Sequence, residues 1–300
     1  MDGATGIIKS QSNSEPTGDS FWNDNGLGFD VRSRPSPFGS RGALSLSGSI
    51  ERGDDALTHD LVLRHRELFE VRLARVPADV DQAHRLRYQI YCEETGLLPR
   101  SVNPGGMEVD CYDGHAEQAL LIHLPTGVAA GAIRLILPDP DERHCDLPAI
   151  QQSPALQRLG EGLPLHGTGE ISRLCISRAF RQRDEEHDLP TIFAAEDADP
   201  ARRRRRLTGH ILLGLGRAVY AVALKQRLTH LVALMDPGLL RLLNRLGLAF
   251  TPIGEPIDHY GLRHPVYCEL RPFLKLLYED RRDVWDVITD GGHLPLTDAP

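Results

Sequence analysis

Ala119-Leu-Leu-Ile-His-Leu124, Pro125-Thr-Gly127, Val128-Ala-Ala-Gly-Ala-Ile-Arg-Leu-Ile-Leu137 is the stretch on which the fold turns. Two apolar runs flank a Pro-Thr-Gly turn, and such runs bounded by turn residues read as strands. A three-residue connection is far too short for a crossover, so the strands pair antiparallel. Arg134 sits inside the second run, where packing alone would not place a charge.

Upstream, Val71-Arg-Leu-Ala-Arg-Val76 alternates like a strand. Asp79, with Gln82 three residues on, reads as a helix cap and its reaching-back partner. The helix that follows places Val80, Ala83, Leu86, Arg87, Ile90 and Tyr91 on one face. Arg87 therefore falls on the apolar side and asks for a carboxylate. Downstream, Gly169-Glu170-Ile-Ser-Arg173-Leu-Cys-Ile-Ser177 reads as another strand, and residues 178–206 as a charged, mobile excursion. Leu207, Ile211, Leu215, Ala218, Val219 and Val222 mark a long amphipathic helix. His230–Met235 is a buried-type strand. Leu239, Leu242, Leu243 and Leu246 mark a helix that Gly247 ends, and Ala249–Ile253 and Val266–Leu270 are further strands. The order β-α-β-β-β-α-β-α-β-β implies an α/β (α+β) fold, a mixed central sheet flanked by helices.

The chain has 300 residues, 34 Lys+Arg against 42 Asp+Glu, and a formal net charge of −8. An acidic total argues against a dedicated nucleic-acid binder. Unbroken apolar runs such as Ile211–Leu213 fall far short of the roughly 20 residues of a membrane span. In residues 1–59, Gly, Ser, Pro and Asn make up 25 positions and no period persists, so this segment reads as a disordered tail. The expected organisation is that tail, a domain over residues 60–292 and a short tail over 293–300. The start, Met1-Asp2-Gly3-Ala4-Thr5-Gly6, shows no basic stretch leading into an apolar core, so no secretory signal is expected. Cys92, Cys111, Cys145, Cys175 and Cys268 are odd in number and contain no CxxC pair. That usage suggests a reducing, cytoplasmic setting and no metal site, with His144-Cys145 lacking a second pair at ligand spacing.

Arg87, Asp110, Asp113, Arg134, Glu170 and Arg173 all lie in or beside apolar elements. A buried charge is costly unless paired, so these six must find one another. One reading is an ion-pair network that sets sheet packing; the other is a polar reaction cleft. Glu170 and Arg173 are three residues apart and face opposite sides of an ideal strand. They share a site only if a bulge intervenes.

Arg85-Leu-Arg87-Tyr-Gln-Ile-Tyr91-Cys-Glu-Glu94, Glu108-Val-Asp110-Cys-Tyr-Asp113, Gly131-Ala-Ile-Arg134-Leu-Ile and Glu170-Ile-Ser-Arg173-Leu resemble the autoinducer-synthase branch of the GCN5-related N-acyltransferase (GNAT) fold. That branch holds acyl-homoserine-lactone synthases and N-acyl amino acid synthases. The chain is most similar to the acyltransferases associated with PEP-CTERM/exosortase systems. There Ala233-Leu-Met-Asp-Pro-Gly-Leu-Leu-Arg-Leu-Leu, Pro252-Ile-Gly-Glu-Pro, His259-Tyr-Gly-Leu-Arg263-His-Pro265 and Trp285-Asp-Val-Ile-Thr289 also recur. The resemblance runs from about Phe69 to Gly292. Tyr91 stands where homoserine-lactone synthases carry Phe, and Leu97 near their tryptophan, which favours the amino-acid or exosortase-associated side.

The resemblance implies an N-acyltransferase that moves a long-chain acyl group from a thioester to the amine of an amino acid or similar small acceptor. Glu170, Arg173 and Asp110 would be catalytic, with Glu170 the base. Arg87, Tyr91, Asp113, Arg134, Leu174, Cys175 and Ile176 would bind substrate or organise the site. Backbone N–H groups near Leu174–Ser177 would face the developing oxyanion. Cys175 itself reads as inert core, lacking an adjacent His. Leu120, Ile122, Ile133, Leu135, Ile176 and Leu234 are candidates for an acyl channel.

The stretch Arg178-Ala-Phe-Arg-Gln-Arg-Asp184 has no glycine with which to cradle a pyrophosphate. An acyl-acyl-carrier-protein donor then fits better than acyl-CoA, and no tightly bound cofactor is implied. Residues 202–245 hold ten Arg and Lys against Asp236 alone. Arg202, Arg203, Arg204, Arg205, Arg206 and Arg217 are candidates to dock an acidic acyl carrier protein. A solvated loop is the competing reading of that run. A CoA-dependent acetyltransferase and a non-catalytic acyl-binding module are the alternative functions.

Overall fold

The computed structural model describes residues 61–138, 147–181 and 200–294. In chain order it contains helix α1 (61–68), strand β1 (Phe69–Leu73) and helix α2 (Pro77–Tyr88). α2 runs on into a π-helix, Gln89–Glu94. Strands β2 (Ala116–His123) and β3 (Val128–Ile136) follow, then short helices α3 (Pro148–Gln152) and α4 (Pro154–Gly160) and strand β4 (Thr168–Ile176). Next come α5 (Arg178–Arg181), α6 (Pro200–Lys225), β5 (His230–Met235) and α7 (Pro237–Arg245). β6 (Thr251–Pro252), β7 (Ile257–Asp258), β8 (Leu262–Glu269), α8 (Leu270–Asp280) and α9 (Arg282–Thr289) complete the described chain.

The sheet runs β1-β2-β3-β4-β5-β8-β6, with β7 paired to β8. β2 and β3 pair antiparallel across the Pro-Thr-Gly turn, as their short connection requires. Among the described residues only β4 and β5 run parallel, and they stay together for just three pairs, Thr168–His230 to Glu170–Val232. Beyond Glu170 the two strands part, and the sheet opens into a V. This is a mixed α/β fold with a mostly antiparallel sheet flanked by helices.

The strand period of two sorts side chains between the faces. Ala132 on β3 joins Leu120 and Ile122 on β2 in packing against Ala83, Leu86 and Ile90 of the α2 segment. Ile133 and Leu135 face the other way, into a larger core with Ile211, Leu215 and Val219 of α6, Leu274 of α8 and Val287 of α9. α3 and α4 cover Ile136 and Val232 on the α2 side. Among the described residues one helical stretch, Leu207–Lys225, is long and apolar enough to cross a membrane, but 72% of its most apolar window is buried in this fold. It reads as a core helix.

Several local expectations need correction. α2 is capped by Val76 without a side-chain bond, and Pro77 opens it, so Asp79 lies within the first turn. Proline with its preset φ starts a helix without an N-cap acceptor. β1 runs over Phe69–Leu73, beginning two residues before Val71 and ending three residues short of the expected Val76. The expected strand Ala249–Ile253 shrinks to Thr251–Pro252, which pair with Tyr267 and Val266. The excursion 178–206 is partly helical: α5 occupies its start, and the α6 backbone begins at Pro200, so Arg202–Arg206 lie on a helix. Residues 1–59 and 295–300 of the expected tails, and His144-Cys145, lie outside the described residues.

Candidate active site

The site is organised by a bulge in β4. Arg134 pairs with Ser172 and Ala132 with Cys175, so Ile133 alone opposes both Arg173 and Leu174. Arg173 takes up the extra residue at φ 51, the left-handed region that non-glycine residues rarely enter. The insertion returns Arg173 to the face of Glu170 and Ser172, and all three line one cleft. The bulge that the spacing of Glu170 and Arg173 demands is therefore present. Two neighbours fit it. A Cβ at Gly131 on β3 would stand 2.8 Å from the Cys175 carbonyl oxygen. Tyr91, from the π-helix, donates its hydroxyl to the Leu174 carbonyl at 2.7 Å. π-turns often sit at functional sites.

Three arginines meet three carboxylates behind the cleft. Arg87 Nη1 donates to Asp113 at 2.7 Å, and its other side holds Glu108. Arg134 Nη1 reaches Asp110 at 2.6 Å and Asp113 at 3.1 Å, while its Nε donates to Ser172 Oγ at 2.9 Å. Arg173 Nη2 donates to Glu108 and to Asp110, both at 3.0 Å. Asp110 and Asp113 are themselves fixed as a reciprocal capping box on the short helix Cys111–His115. Arg87, Arg134 and Glu108 are 0%, 1% and 2% exposed. Burial alone would raise the Asp113 carboxyl, but the contacts of His84 and Arg87 hold it well below the usual range. Burial opposes ionisation of Asp110 as well, and the hydrogen bond and charge of Arg134 reverse it, leaving it lowered.

Glu170 does not join these ion pairs, contrary to expectation. Glu108 takes that place, closing a balanced set of three against three. The alternation in Glu108-Val-Asp110 was the available signal, since positions two apart share a side of extended chain. Glu170 instead accepts the Ala149 N–H at 2.7 Å. Its carboxyl is pushed up to about 8 by burial, against smaller opposing effects of the Ala149 N–H, Arg134 and Arg173. Glu170 is also one of the residues that line the cleft.

The cleft has a volume of about 400 Å³, and Tyr91, Asp110, Arg134, Glu170, Arg173 and Leu234 are among its walls. Behind it lies a narrow apolar crevice of about 50 Å³ lined by Ile133, Leu174, Val219, Met235 and Phe273. Ile171 faces both spaces. Of the expected channel residues, Ile133 lines the crevice and Leu234 the polar cleft. Leu120 and Ile122 pack beneath α2, and Leu135 and Ile176 lie in the main core, because their strand positions point away from the opening. Cys175 is buried, and burial pushes its thiol up to about 12. Ser177 N–H is occupied by the Ala130 carbonyl. Among the described residues no group of three or more His, Cys, Asp or Glu is placed to hold a metal ion.

Arg217, grouped by sequence with the docking run, forms an ion pair with Asp290 of the α9 end at 3.0 Å and faces the protein's own surface. The side chains of Arg202–Arg206 lie outside the described residues.

Residues 86–189 match the family described as the acetyltransferase (GNAT) domain. No curated protein sequence matches the chain. Among solved structures, BjaI, a CoA-dependent acyl-homoserine lactone synthase with SAM and isopentyl-CoA, is 21% identical, with a TM-score of 0.46 over 75% of this chain and 91% of its own. FeeM, an N-acyl amino acid synthase from uncultured soil microbes, is 17% identical, with a TM-score of 0.42 over 70% and 96%. The AHL synthase LasI is 17% identical, with a TM-score of 0.42 over 67% and 87%. The family match spans β2, β3 and β4 and every member of the charged cluster. Over residues 86–189 the chain thus matches an acetyltransferase (GNAT) domain, and the match supports an acyltransferase-type enzyme.

Proposed function

We propose that residues 60–292 form an N-acyltransferase domain that moves a long acyl chain from an acyl-carrier-protein thioester to the amine of an amino acid. The observation that carries this reading is the β4 bulge. It sets Glu170 and Arg173 on one cleft at the point where β4 and β5 part, with an apolar crevice directly behind Ile171. A thioester is already activated, so no covalent enzyme intermediate is needed and alignment is the main task. The amine nitrogen attacks the thioester carbonyl, and its proton passes to the Glu170 carboxylate directly or through one water. The tetrahedral intermediate collapses to the amide, and the departing thiolate takes up a proton. Asp110 and Arg173 border the reacting space, while Arg87, Asp113 and Arg134 hold them in register. Backbone N–H groups of the bulge face the developing oxyanion. The crevice, about 50 Å³ as it stands, would have to widen to take the acyl tail.

The carrier-protein donor is favoured by the stretch after β4, where a glycine-free helix begins and Arg181 is committed to the Ile176 carbonyl and to Glu94. Acyl-CoA is the second reading for the donor. Tyr91 and Leu97, which depart from the homoserine-lactone synthase pattern, favour the amino-acid or exosortase-associated side of the branch.

The test is to incubate the purified chain with acyl-carrier-proteins and acyl-CoAs of graded length and the common amino acids, and to read products by mass spectrometry. A new N-acyl amino acid formed faster from the carrier protein supports the reading. Acyl binding without transfer from any donor would replace it with a binding module.

A further inference from the structure

The cleft has a second wall that acyl transfer as described leaves unused. At its open side β5 pairs with β8, Met235 opposite His264, and Arg263 comes next. The tight hairpin between β7 and β8 brings His259 and Tyr260 to the same cleft as Glu170. Tyr260 and Gly261 lie at φ 54 and 94, both left-handed, in the three-residue connection 259–261 between Asp258 and its strand partner Leu262. The hairpin is braced from within. The Asp258 carboxylate accepts the Gly261 N–H at 3.1 Å, and Arg263 donates to the Leu262 and Tyr260 carbonyls at 2.9 and 2.8 Å. Behind Arg263 stands Asp236, 3.5 Å away. The other Asp236 oxygen caps α7 through the Gly238 and Leu239 N–H groups.

This bracing leaves the Arg263 side chain only 13% exposed and still on the cleft wall. A guanidinium carries five N–H donors, and the hairpin carbonyls engage two of them. Among the described residues Arg263 makes one ion pair, with Asp236 at 3.5 Å, whereas across the cleft Arg134 and Arg173 each meet two of Asp110, Asp113 and Glu108. The opening thus presents a proton-accepting carboxyl on one wall and a pre-positioned guanidinium, with an imidazole beside it, on the other. An amino acid has the complementary ends, an amine and a carboxylate. A planar fork binds a carboxylate at two points, which an ammonium does not.

We propose that Arg263, with His259, seats the acceptor's carboxylate and so selects an amino acid over a simple amine. The assignment rests on reading the cleft as an acyltransferase site, but its test does not depend on transfer. Binding of L-leucine, L-phenylalanine, L-tyrosine and L-tryptophan is measured by calorimetry without donor, beside isoamylamine, phenethylamine, tyramine and tryptamine. The wild type is expected to bind at least one amino acid ten-fold or more tighter than its carboxylate-free partner. Arg263→Gln is expected to erase that difference, Arg263→Lys to restore part of it, and His259→Gln to narrow it. Thermal melts of each variant separate loss of the hairpin from loss of the contact. When transfer is measured, the Arg263→Gln loss is expected in KM for the amino acid and to exceed that for the amine by ten-fold. No carboxylate preference in the wild type, or a preference that survives in folded Arg263→Gln, overturns the proposal. Carboxylate-dependent binding without transfer would leave it standing and remove the acyltransferase reading; transfer without that preference would do the reverse.

Discussion

Glu108 and Arg173 are joined by two-point contact, Nε at 3.1 Å and Nη2 at 3.0 Å, and Glu108 is at the same time the partner of the fully buried Arg87. One carboxylate thus ties helix α2 to the β4 bulge.

Removing that carboxylate leaves Arg87 with Asp113 alone. A buried charge that loses its partner destabilises by about 3–5 kcal/mol. Glu108→Ala is expected to lower unfolding stability by about that amount in urea titrations. Asp110→Asn is expected to lower it less, since the Asp110 side chain is 24% exposed and partly hydrated. Equal losses would show that burial does not set the scale.

Glu170 supplies a pH dependence. Its carboxyl is raised from 4.5 to about 8, first by burial. A raised acid binds its proton more tightly when folded, so the fold loses stability as pH climbs from about 4.5 to about 8 and the side chain is forced to ionise. Stability of Glu170→Gln relative to wild type is expected to rise over that window. Wild-type kcat/KM is expected to climb toward a plateau above about pH 8, and Glu170→Gln to lose most activity together with that limb. A pH profile unchanged in the mutant would remove Glu170 as the base.

Tyr91→Phe deletes the hydroxyl that holds the Leu174 carbonyl. The expected stability loss is about 1 kcal/mol, the usual worth of one such hydrogen bond. Because the bond fixes the bulge, kcat is expected to fall several-fold with little change in KM for the amine. Steady-state kinetics beside denaturant melts check both halves.

For the basic run, replacing Arg202–Arg206 by Glu is expected to raise KM for acyl carrier protein about ten-fold and to flatten its salt dependence, since charge complementarity governs encounter. An unchanged KM assigns the run to a solvated helix end.

Much of this protein is legible without coordinates. Arg87, Arg134 and Arg173 announce themselves as charges in apolar runs, and charge cost alone predicts that carboxylates meet them. The spacing of Glu170 and Arg173 forces a bulge if both serve one site, and φ 51 at Arg173 is that bulge. Alternation and turn residues likewise determine the β2–β3 pair. Which carboxylate meets which arginine was decided by tertiary structure. Glu108 enters the network and Glu170 leaves it because α3 brings the Ala149 N–H to Glu170, a contact 21 residues away in sequence. Arg217 turns inward to Asp290, 73 positions on, for the same reason. Local pattern reports a side chain's face and its need for a partner. The partner's identity depends on packing between elements distant in the chain, and that is settled only when the sheet and its helices are assembled.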